Sequence, residues 1–200
     1  MLSGLDASGR DSHYENNGAI NQGDKVNFLA VAVLGEDRPE TVEALTRTVQ
    51  DCKCDILDSR MTLLGDVTSM LLLVQGNWNT LARLETQLQK LERSHKLRCL
   101  IRRSHGFREH PDFRPYAAEI TALERPCVIL RIIDFFNSRE VRIDDFASRS
   151  YRVAHTATPM LAVNLVVSIP EQVHVGMLRD EFFDICDEHD WDALLEPVKG

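Results

Sequence analysis

Long apolar runs, disulfide-type cysteine spacing and an excess of basic residues are all missing from this 200-residue sequence. The longest apolar run, residues 69–74, has the length of a strand, whereas a transmembrane helix needs about 18 apolar residues. The five cysteines form no paired framework, which indicates reduced thiols in a cytosolic protein. The net charge of −8 argues against unaided binding to nucleic acid. We therefore predict a cytoplasmic globular protein that contacts neither membrane nor nucleic acid directly.

Residues 1–25 lack the basic and then apolar pattern of a signal peptide. They are polar and rich in Gly, Asn and Ser, a composition that is typical of a disordered N-terminal tail. We expect no export from this segment.

Charge is distributed unevenly along the chain. Residues 93–114 carry seven Lys and Arg against two acids, and residues 171–200 carry nine acids against two basic residues. Such runs fit solvated faces of neighbouring elements that attract each other. The basic run also fits a docking patch for an acidic partner, and the sequence leaves both interpretations open.

An internal repeat is the main feature of the remaining sequence. Arg38-Pro39 follows an apolar run and opens a helical pattern, and Arg125-Pro126 does the same 87 residues later. The matching continues downstream, where it pairs Leu45 with Ile132, Val49 with Phe136, Ile56 with Ile143 and Asp58 with Asp145. A period of this length exceeds that of solenoid repeats and predicts two tandem domains.

The first copy predicts the element order β-α-β-β-α-β. Residues 28–34, 55–64 and 68–75 are typical of strands, and residues 97–102 alternate like an edge strand. Apolar residues at i, i+3 and i+7 predict a first helix that begins near Pro39. Regularly spaced leucines predict a second helix, for which we expect Asn79 or Thr80 as the N-cap.

The second copy predicts the same order. Its strands are expected at 116–123, 143–151, 159–168 and 191–198, with helices between them. The fold class is α+β, with two tandem ferredoxin-like βαββαβ domains whose antiparallel sheets carry helices on one face. Val and Leu point to both faces of several strands, so we expect each open face to pair with the other copy or with a second chain. The predicted segments are the tail 1–25, the first domain 26–104, the linker 105–115 and the second domain 116–200.

These patterns resemble two known groups of proteins. A strand, a Gly-x-Asp-Arg-Pro loop and an amphipathic helix resemble the ACT regulatory domain. The run CKCDILDSRM at 52–61, with LGD at 64–66 and GNWN at 76–79, resembles the glycine cleavage system transcriptional repressor family. This resemblance implies a non-catalytic homo-oligomeric regulator that holds an activator protein and releases it on a glycine signal, without touching DNA.

The ACT resemblance also implies ligand-binding residues. ACT domains bind amino acids with the loop after the first strand and the start of the first helix. The free N–H groups and positive dipole of that helix end suit an α-carboxylate, and an acid such as Asp37 or Asp58 suits an α-ammonium group. The candidates are Gly35, Asp37, Arg38, Pro39, Glu40, Thr41, Asp58 and Ser59 in the first copy, and Glu124, Arg125, Cys127, Val128 and Asp145 in the second.

Three positions depart from these families. The glycine expected after Arg-Pro is Glu40 in the first copy and Cys127 in the second. Lys53 stands where the repressor pattern has glycine. Because a glutamate at the helix start competes with a ligand carboxylate, the amino-acid pocket is expected to be altered, shared between the copies or lost.

No residue pattern requires catalysis. Cys127, beside Arg125 at a helix start, fits a reactive thiol or a small packing residue, and the Cys52-x-Cys54 pair fits packing. No phosphate loop, nucleophile elbow, HExxH motif or zinc spacing occurs, so we predict no enzyme, no catalytic residue, no metal and no cofactor. Two alternatives to the repressor-like function stay open: a regulatory subunit of an amino-acid-metabolism enzyme, and a ligand-free dimerisation module.

Overall fold

The structure, a computed structural model, describes residues 26–107 and 112–198. The chain divides into two compact units, 1–108 and 109–200, and the division falls inside the predicted linker. Each unit has the predicted element order β-α-β-β-α-β. The predicted tail, residues 1–25, lies outside the described residues.

The first unit is a four-stranded antiparallel sheet covered by two helices. Alternate residues of its first strand, Leu29, Val31 and Val33, are buried with Leu45 of the first helix and Leu84 of the second. Both helices therefore cover the same face of the sheet. The sheet order is β2-β3-β1-β4, with the elements β1 (Asn27–Glu36), α1 (Pro39–Asp51), β2 (Asp55–Leu64), β3 (Val67–Gly76), α2 (Trp78–His95) and β4 (Leu97–Ser104).

The second unit repeats this plan with an aromatic core. Phe136 of its first helix and Phe182 of its second are buried with ring centroids 5.5 Å apart, above Ile120 and Val163 of the sheet. The sheet order is β6-β7-β5-β8, with the elements β5 (Phe113–Leu123), α3 (Val128–Asn137), β6 (Arg142–Arg152), β7 (Pro159–Pro170), α4 (Val175–Glu188) and β8 (Asp192–Pro197). In the described part of the chain, no helix is both long enough and apolar enough to span a membrane.

The N-cap of α2 is Asn77, which corrects the prediction of Asn79 or Thr80. The Thr80 N–H donates to Asn77 Oδ1 at 2.9 Å, and helical geometry begins at Trp78. Asn79 and Thr80 therefore lie inside the first turn. All three residue types favour N-caps, so sequence preference alone does not separate them.

Strand β5 begins at Phe113, inside the predicted linker. Pro115 discourages a strand prediction because it lacks a backbone N–H. Here it pairs with Ser168 of β7, whereas the pairing of β5 with β8 begins one residue later, at Tyr116. The proline therefore costs the sheet little, and the segment between the strands shortens to 105–112.

The repeat extends to two backbone irregularities. A β-bulge interrupts β2 between Ile56 and Asp58, and another interrupts β6 between Ile143 and Asp145, at the same repeat position. Helices α1 and α3 also end alike. Lys53 and Glu140, again 87 residues apart, have φ of +57° and +58°.

These positive φ values belong to Schellman motifs. The Lys53 N–H donates to the Gln50 carbonyl at 2.8 Å, and the Cys54 N–H donates to the Val49 carbonyl at 3.2 Å. In the second unit the same two bonds join Glu140 to Asn137 and Val141 to Phe136. Glycine is the preferred residue at the left-handed position of this motif, which explains why Lys53 stands out as a departure from the family pattern.

Candidate functional site

The loop between β5 and α3 lines an open cleft of roughly 460 Å³ in the second domain. The Glu124 N–H donates to the Pro159 carbonyl at 3.0 Å, and Cys127 turns the chain into α3 with a φ of +69°. The cleft brings together four of the five candidates in this copy: Glu124, Arg125, Cys127 and Val128. Its remaining walls are Ile129, Leu130, Ile133, Ser150 and Leu161.

The cleft combines charged, polar and apolar groups. The Ser150 hydroxyl donates to Glu124 Oε1 at 2.9 Å and so holds this carboxylate beside the loop. The first backbone hydrogen bond of α3 runs from the Arg131 N–H to the Cys127 carbonyl at 2.9 Å. The amides of 128–130 precede that bond and have no intrahelical acceptor, and they add the positive end of the helix dipole. Such a site suits a small zwitterion with an apolar portion.

Asp145 lies far from this cleft. It pairs with Val166 of β7, whereas Glu124 contacts Pro159 at the other end of that strand. Seven residues of strand separate Val166 from Pro159, or about 23 Å at ~3.3 Å per residue.

The same separation occurs in the first domain. Asp58 pairs with Leu73 and Ser59 with Leu72, whereas the loop after β1 lies beside Thr68. Leu73 and Thr68 are five residues apart on β3, or about 17 Å. The structure therefore places Asp37 at the loop and places Asp58 and Ser59 away from it.

The charged side chains of the first-domain loop already have partners within the domain. The Arg38 guanidinium donates to the Glu36 carboxylate, with Nε 2.9 Å from Oε2. The Thr68 hydroxyl donates to Asp37 Oδ1 at 3.2 Å, and the Asp37 N–H donates to the Asp66 carbonyl at 3.1 Å. Arg38 and Asp37 are therefore already bound within the protein.

Packing and helix geometry determine the positions of the other first-domain candidates. Pro39 is the first residue of α1, Glu40 is exposed in its first turn, and Thr41 is buried. A Cβ atom on Gly35 would lie 3.0 Å from the Cβ of Leu97. A Cβ atom at position 35 would therefore press on β4.

Ser150 and Thr68 were not among the sequence candidates, although they play matching parts. Each donates its hydroxyl to the acid that follows the first strand of its domain. Thr68 pairs with Leu63, and Ser150 pairs with Leu161 at the equivalent place in the other sheet. The hydroxyl has thus moved to the neighbouring strand, so a position-by-position comparison of the repeats does not reveal the equivalence.

A second cavity, of roughly 200 Å³, lies on the other side of Arg125. Within it, Arg131 Nη1 donates to His189 Nε2 at 3.3 Å. Its lining contains two acids, Glu188 and Asp190, and two arginines, Arg125 and Arg131. The balance of charge gives this cavity no preference for an anion or a cation.

The thiols divide into packing residues and one exposed group. Burial, with a smaller contribution from Glu92, raises the pKa of the Cys99 thiol to about 11. Burial and then Asp187 raise the pKa of Cys186 to the same value. Cys52 and Cys54 are buried, and Cys127 is the exposed thiol. Within 26–107 and 112–198, no group of three or more His, Cys, Asp or Glu side chains is placed to hold a metal ion.

Comparison with known proteins identifies the class. Residues 27–102 match the family model of the ACT domain. The second unit repeats the fold of the first, element by element. The first unit therefore matches the ACT domain and the second shares its ferredoxin-like fold, in agreement with the predicted tandem arrangement.

Sequence relatives give a more specific match than the domain family does. Over 162 residues the chain is 24% identical to the glycine cleavage system transcriptional repressor of Escherichia coli strain K12, and the match covers 81% of this chain and 85% of that protein. The repressor of Shigella flexneri matches with the same values. The predicted resemblance to this repressor family is thus confirmed.

Two crystal structures share the fold. One, provisionally described as a glycine cleavage system transcriptional repressor, superposes with a TM-score of 0.68 at 19% identity and covers 88% of this chain and 99% of that one. The other, an unknown protein from Galdieria sulphuraria, has a TM-score of 0.74 at 18% identity and covers 88% and 100%. At such identities these likenesses show the fold alone.

Proposed function

We propose that this chain is a non-catalytic, cytoplasmic regulator of transcription in amino-acid metabolism, specifically of glycine cleavage, and that it acts through a protein partner. The observation that carries the proposal is the extent of the similarity to the bacterial repressor, which covers 81% of this chain and 85% of that protein. Such coverage exceeds a single ACT module, which occupies residues 27–102. The net charge of −8 favours contact with a protein over contact with DNA.

The ligand in this proposal is a free amino acid bound in the second-domain cleft. Arg125 and the amides that open α3 suit the α-carboxylate, and Glu124 suits the α-ammonium group. The first-domain loop is a weaker candidate because Arg38 and Asp37 already bind Glu36 and Thr68. Glu40 adds a negative charge there.

Calorimetry with matched variants tests the ligand site. Titration of the wild-type chain with glycine and then with the other common amino acids should give heat of binding for at least one of them. Arg125→Ala should weaken binding about 10- to 100-fold, as expected for the loss of a charge-assisted hydrogen bond of about 1.5–3 kcal/mol. Arg38→Ala, at the same repeat position in the first domain, should leave the affinity unchanged. Silence with every amino acid would instead favour a ligand-free dimerisation module.

A pull-down tests the partner. Tagged chain incubated with lysate, with and without glycine, should retain a transcriptional activator in one condition and release it in the other. Failure to retain any partner in both conditions would contradict the proposal. Retention of a catalytic subunit of an amino-acid-metabolism enzyme would point to the alternative function.

Self-association is the last part of the proposal. The sheet of each domain leaves one face without a helix layer, and large apolar residues on it are exposed. Exposed apolar patches of this kind mark interaction surfaces. We therefore propose that the chain forms a homo-oligomer.

A further inference from the structure

The sheet face opposite the helices in the first domain, here called the first face, is apolar and carries a basic row on its last strand. Because opposite residues of antiparallel strands point to the same side, the pairing defines its members. Leu34, Leu71 and Leu100 are 52%, 53% and 74% exposed on it. Its charged members are three arginines and three acids: Arg60, Arg98, Arg102, Glu36, Asp55 and Asp58.

The corresponding face of the second domain, the second face, carries an acidic row on its last strand. Leu194 is 41% exposed there, beside Ala117 and Val166. Its charged members are four acids and two arginines: Glu119, Asp145, Asp192, Glu196, Arg142 and Arg149. The two faces thus have the same architecture, and their last strands, β4 and β8, carry opposite charge.

The opposition is clearest on the last strand of each domain. Arg98, Leu100 and Arg102 of β4 pair with Leu34, Ala32 and Ala30 of β1. Asp192, Leu194 and Glu196 of β8 pair with Thr121, Glu119 and Ala117, which lie 87 residues after those β1 positions. The outward row therefore reads Arg-Leu-Arg in one domain and Asp-Leu-Glu in the other, at equivalent positions.

The charges of the two rows are available for a partner. Arg98, Arg102, Asp192 and Glu196 are exposed. None of the four side chains makes a hydrogen bond or an ion pair with another residue in the described ranges. Arg103, by contrast, is engaged inside its domain, where it binds Glu85 at 2.9 Å and lies over the Trp78 ring.

We propose that the first face of one chain docks onto the second face of a second copy of this chain. The inference rests on the self-association proposed above and is independent of the ligand. Leu100 meets Leu194, and the arginines that flank Leu100 meet the acids that flank Leu194. Both rows have the pattern charged-apolar-charged with about 6.6 Å between successive members, so they match in either strand direction.

A two-fold axis makes this contact twice, because the second face of the first copy then meets the first face of its partner. Packed sheets lie about 10 Å apart, and a four-stranded sheet is about 19 Å wide. With strands of about six residues, each face measures roughly 400 Å², and the four faces of a dimer together supply roughly 1,600 Å². That area is typical of a specific protein–protein interface.

Charge reversal tests the docking surface. One variant carries Arg98→Glu with Arg102→Glu, and the other carries Asp192→Lys with Glu196→Lys. In each variant the rows on β4 and β8 then have the same sign, so sedimentation velocity should show monomers where the wild type shows dimers, with a dissociation constant at least tenfold weaker. Mixing the two variants should restore the dimer, because each acidic row then meets a basic one.

A charge-matched control changes the helix layer instead. Lys90→Glu with Arg93→Glu reverses two exposed charges on α2 and should leave the dimer intact. A monomeric wild type would overturn both the self-association and its surface. A dimer that survives in each variant alone, or a mixture that stays monomeric although both variants keep the wild-type circular dichroism, would overturn this surface while leaving self-association standing.

Discussion

Lys53 and Glu140 end helices α1 and α3 in the left-handed conformation, with φ of +57° and +58°. A side chain with a Cβ atom costs about 1–2 kcal/mol in this region because the Cβ crowds the following carbonyl. Glycine removes that cost but increases the entropy of the unfolded chain, which offsets about 0.4–1 kcal/mol. Lys53→Gly and Glu140→Gly should therefore each stabilise their own domain by about 0.5–1 kcal/mol.

The two tryptophans allow each domain to be followed separately. Trp78 lies in the first domain and Trp191 in the second, and the sequence contains no others. In a Trp191→Phe background, fluorescence during urea unfolding reports the first domain, and Trp78→Phe isolates the second. Lys53→Gly should shift the first transition upward by about 3–5 °C in a parallel thermal scan and leave the second in place, because about 1 kcal/mol moves the melting temperature of a domain this size by 4–8 °C.

Lys90→Gly is the control variant, in which glycine should lower stability. Lys90 lies inside α2, where glycine should cost about 1 kcal/mol. If Lys53→Gly and Glu140→Gly lower stability as Lys90→Gly does, the left-handed conformation carries no cost at these helix ends and the reasoning fails.

Three further predictions concern a helix cap, two thiols and a glycine. Asn77→Ala should destabilise the first domain by about 1 kcal/mol in urea unfolding because it removes the α2 cap, whereas Asn79→Ala should change stability by less than about 0.5 kcal/mol. The pKa values of Cys99 and Cys186 are raised from 9.0 to about 11, so their stabilising effect is complete below pH 9 and is lost as the pH rises through 11. Stability measured by unfolding across that range should fall, and Cys99→Ala with Cys186→Ala should make the fall shallower. Part of it should remain because burial also raises the pKa of Cys52 and Cys54; an unchanged slope would assign it to other groups. Gly35→Ala should cost about 1–3 kcal/mol by the same unfolding measurement because its Cβ would press on Leu97, and a neutral effect would show that β4 can move.

Much of the fold could be predicted from periodicity. Strand β2 occupies the residues predicted for it, and the order of the remaining elements follows the apolar spacing. Strand β5 begins earlier than predicted because Pro115 discourages a strand prediction, and the helix cap is ambiguous because several residue types satisfy the same preference. Asn77, Asn79 and Thr80 can all cap a helix, and only the hydrogen bond to Asn77 separates them.

The candidate site was less predictable because strand register decides which residues meet. One helix separates Asp37 from Asp58 in the sequence. Asp58 pairs with Leu73 of β3, whereas Asp37 contacts Thr68 of that strand, five residues or about 17 Å away. The opposite charges of the outward rows on β4 and β8 were likewise hidden. A charge excess in residues 93–114 was visible, but the register of β4 shows which arginines share a face.

The paired bulges in β2 and β6 bear on edge-to-edge aggregation. These strands, ten and eleven residues long, lie at the edges of their sheets, and long straight edges recruit other chains into aggregates. A bulge bends and twists its strand, so an incoming strand cannot follow the edge along its whole length. Leu57 and Asp144 are the inserted residues, and deleting either one would leave every neighbouring pair in register while straightening the edge. The duplication thus preserved, together with the fold, an interruption of one sheet edge in each domain.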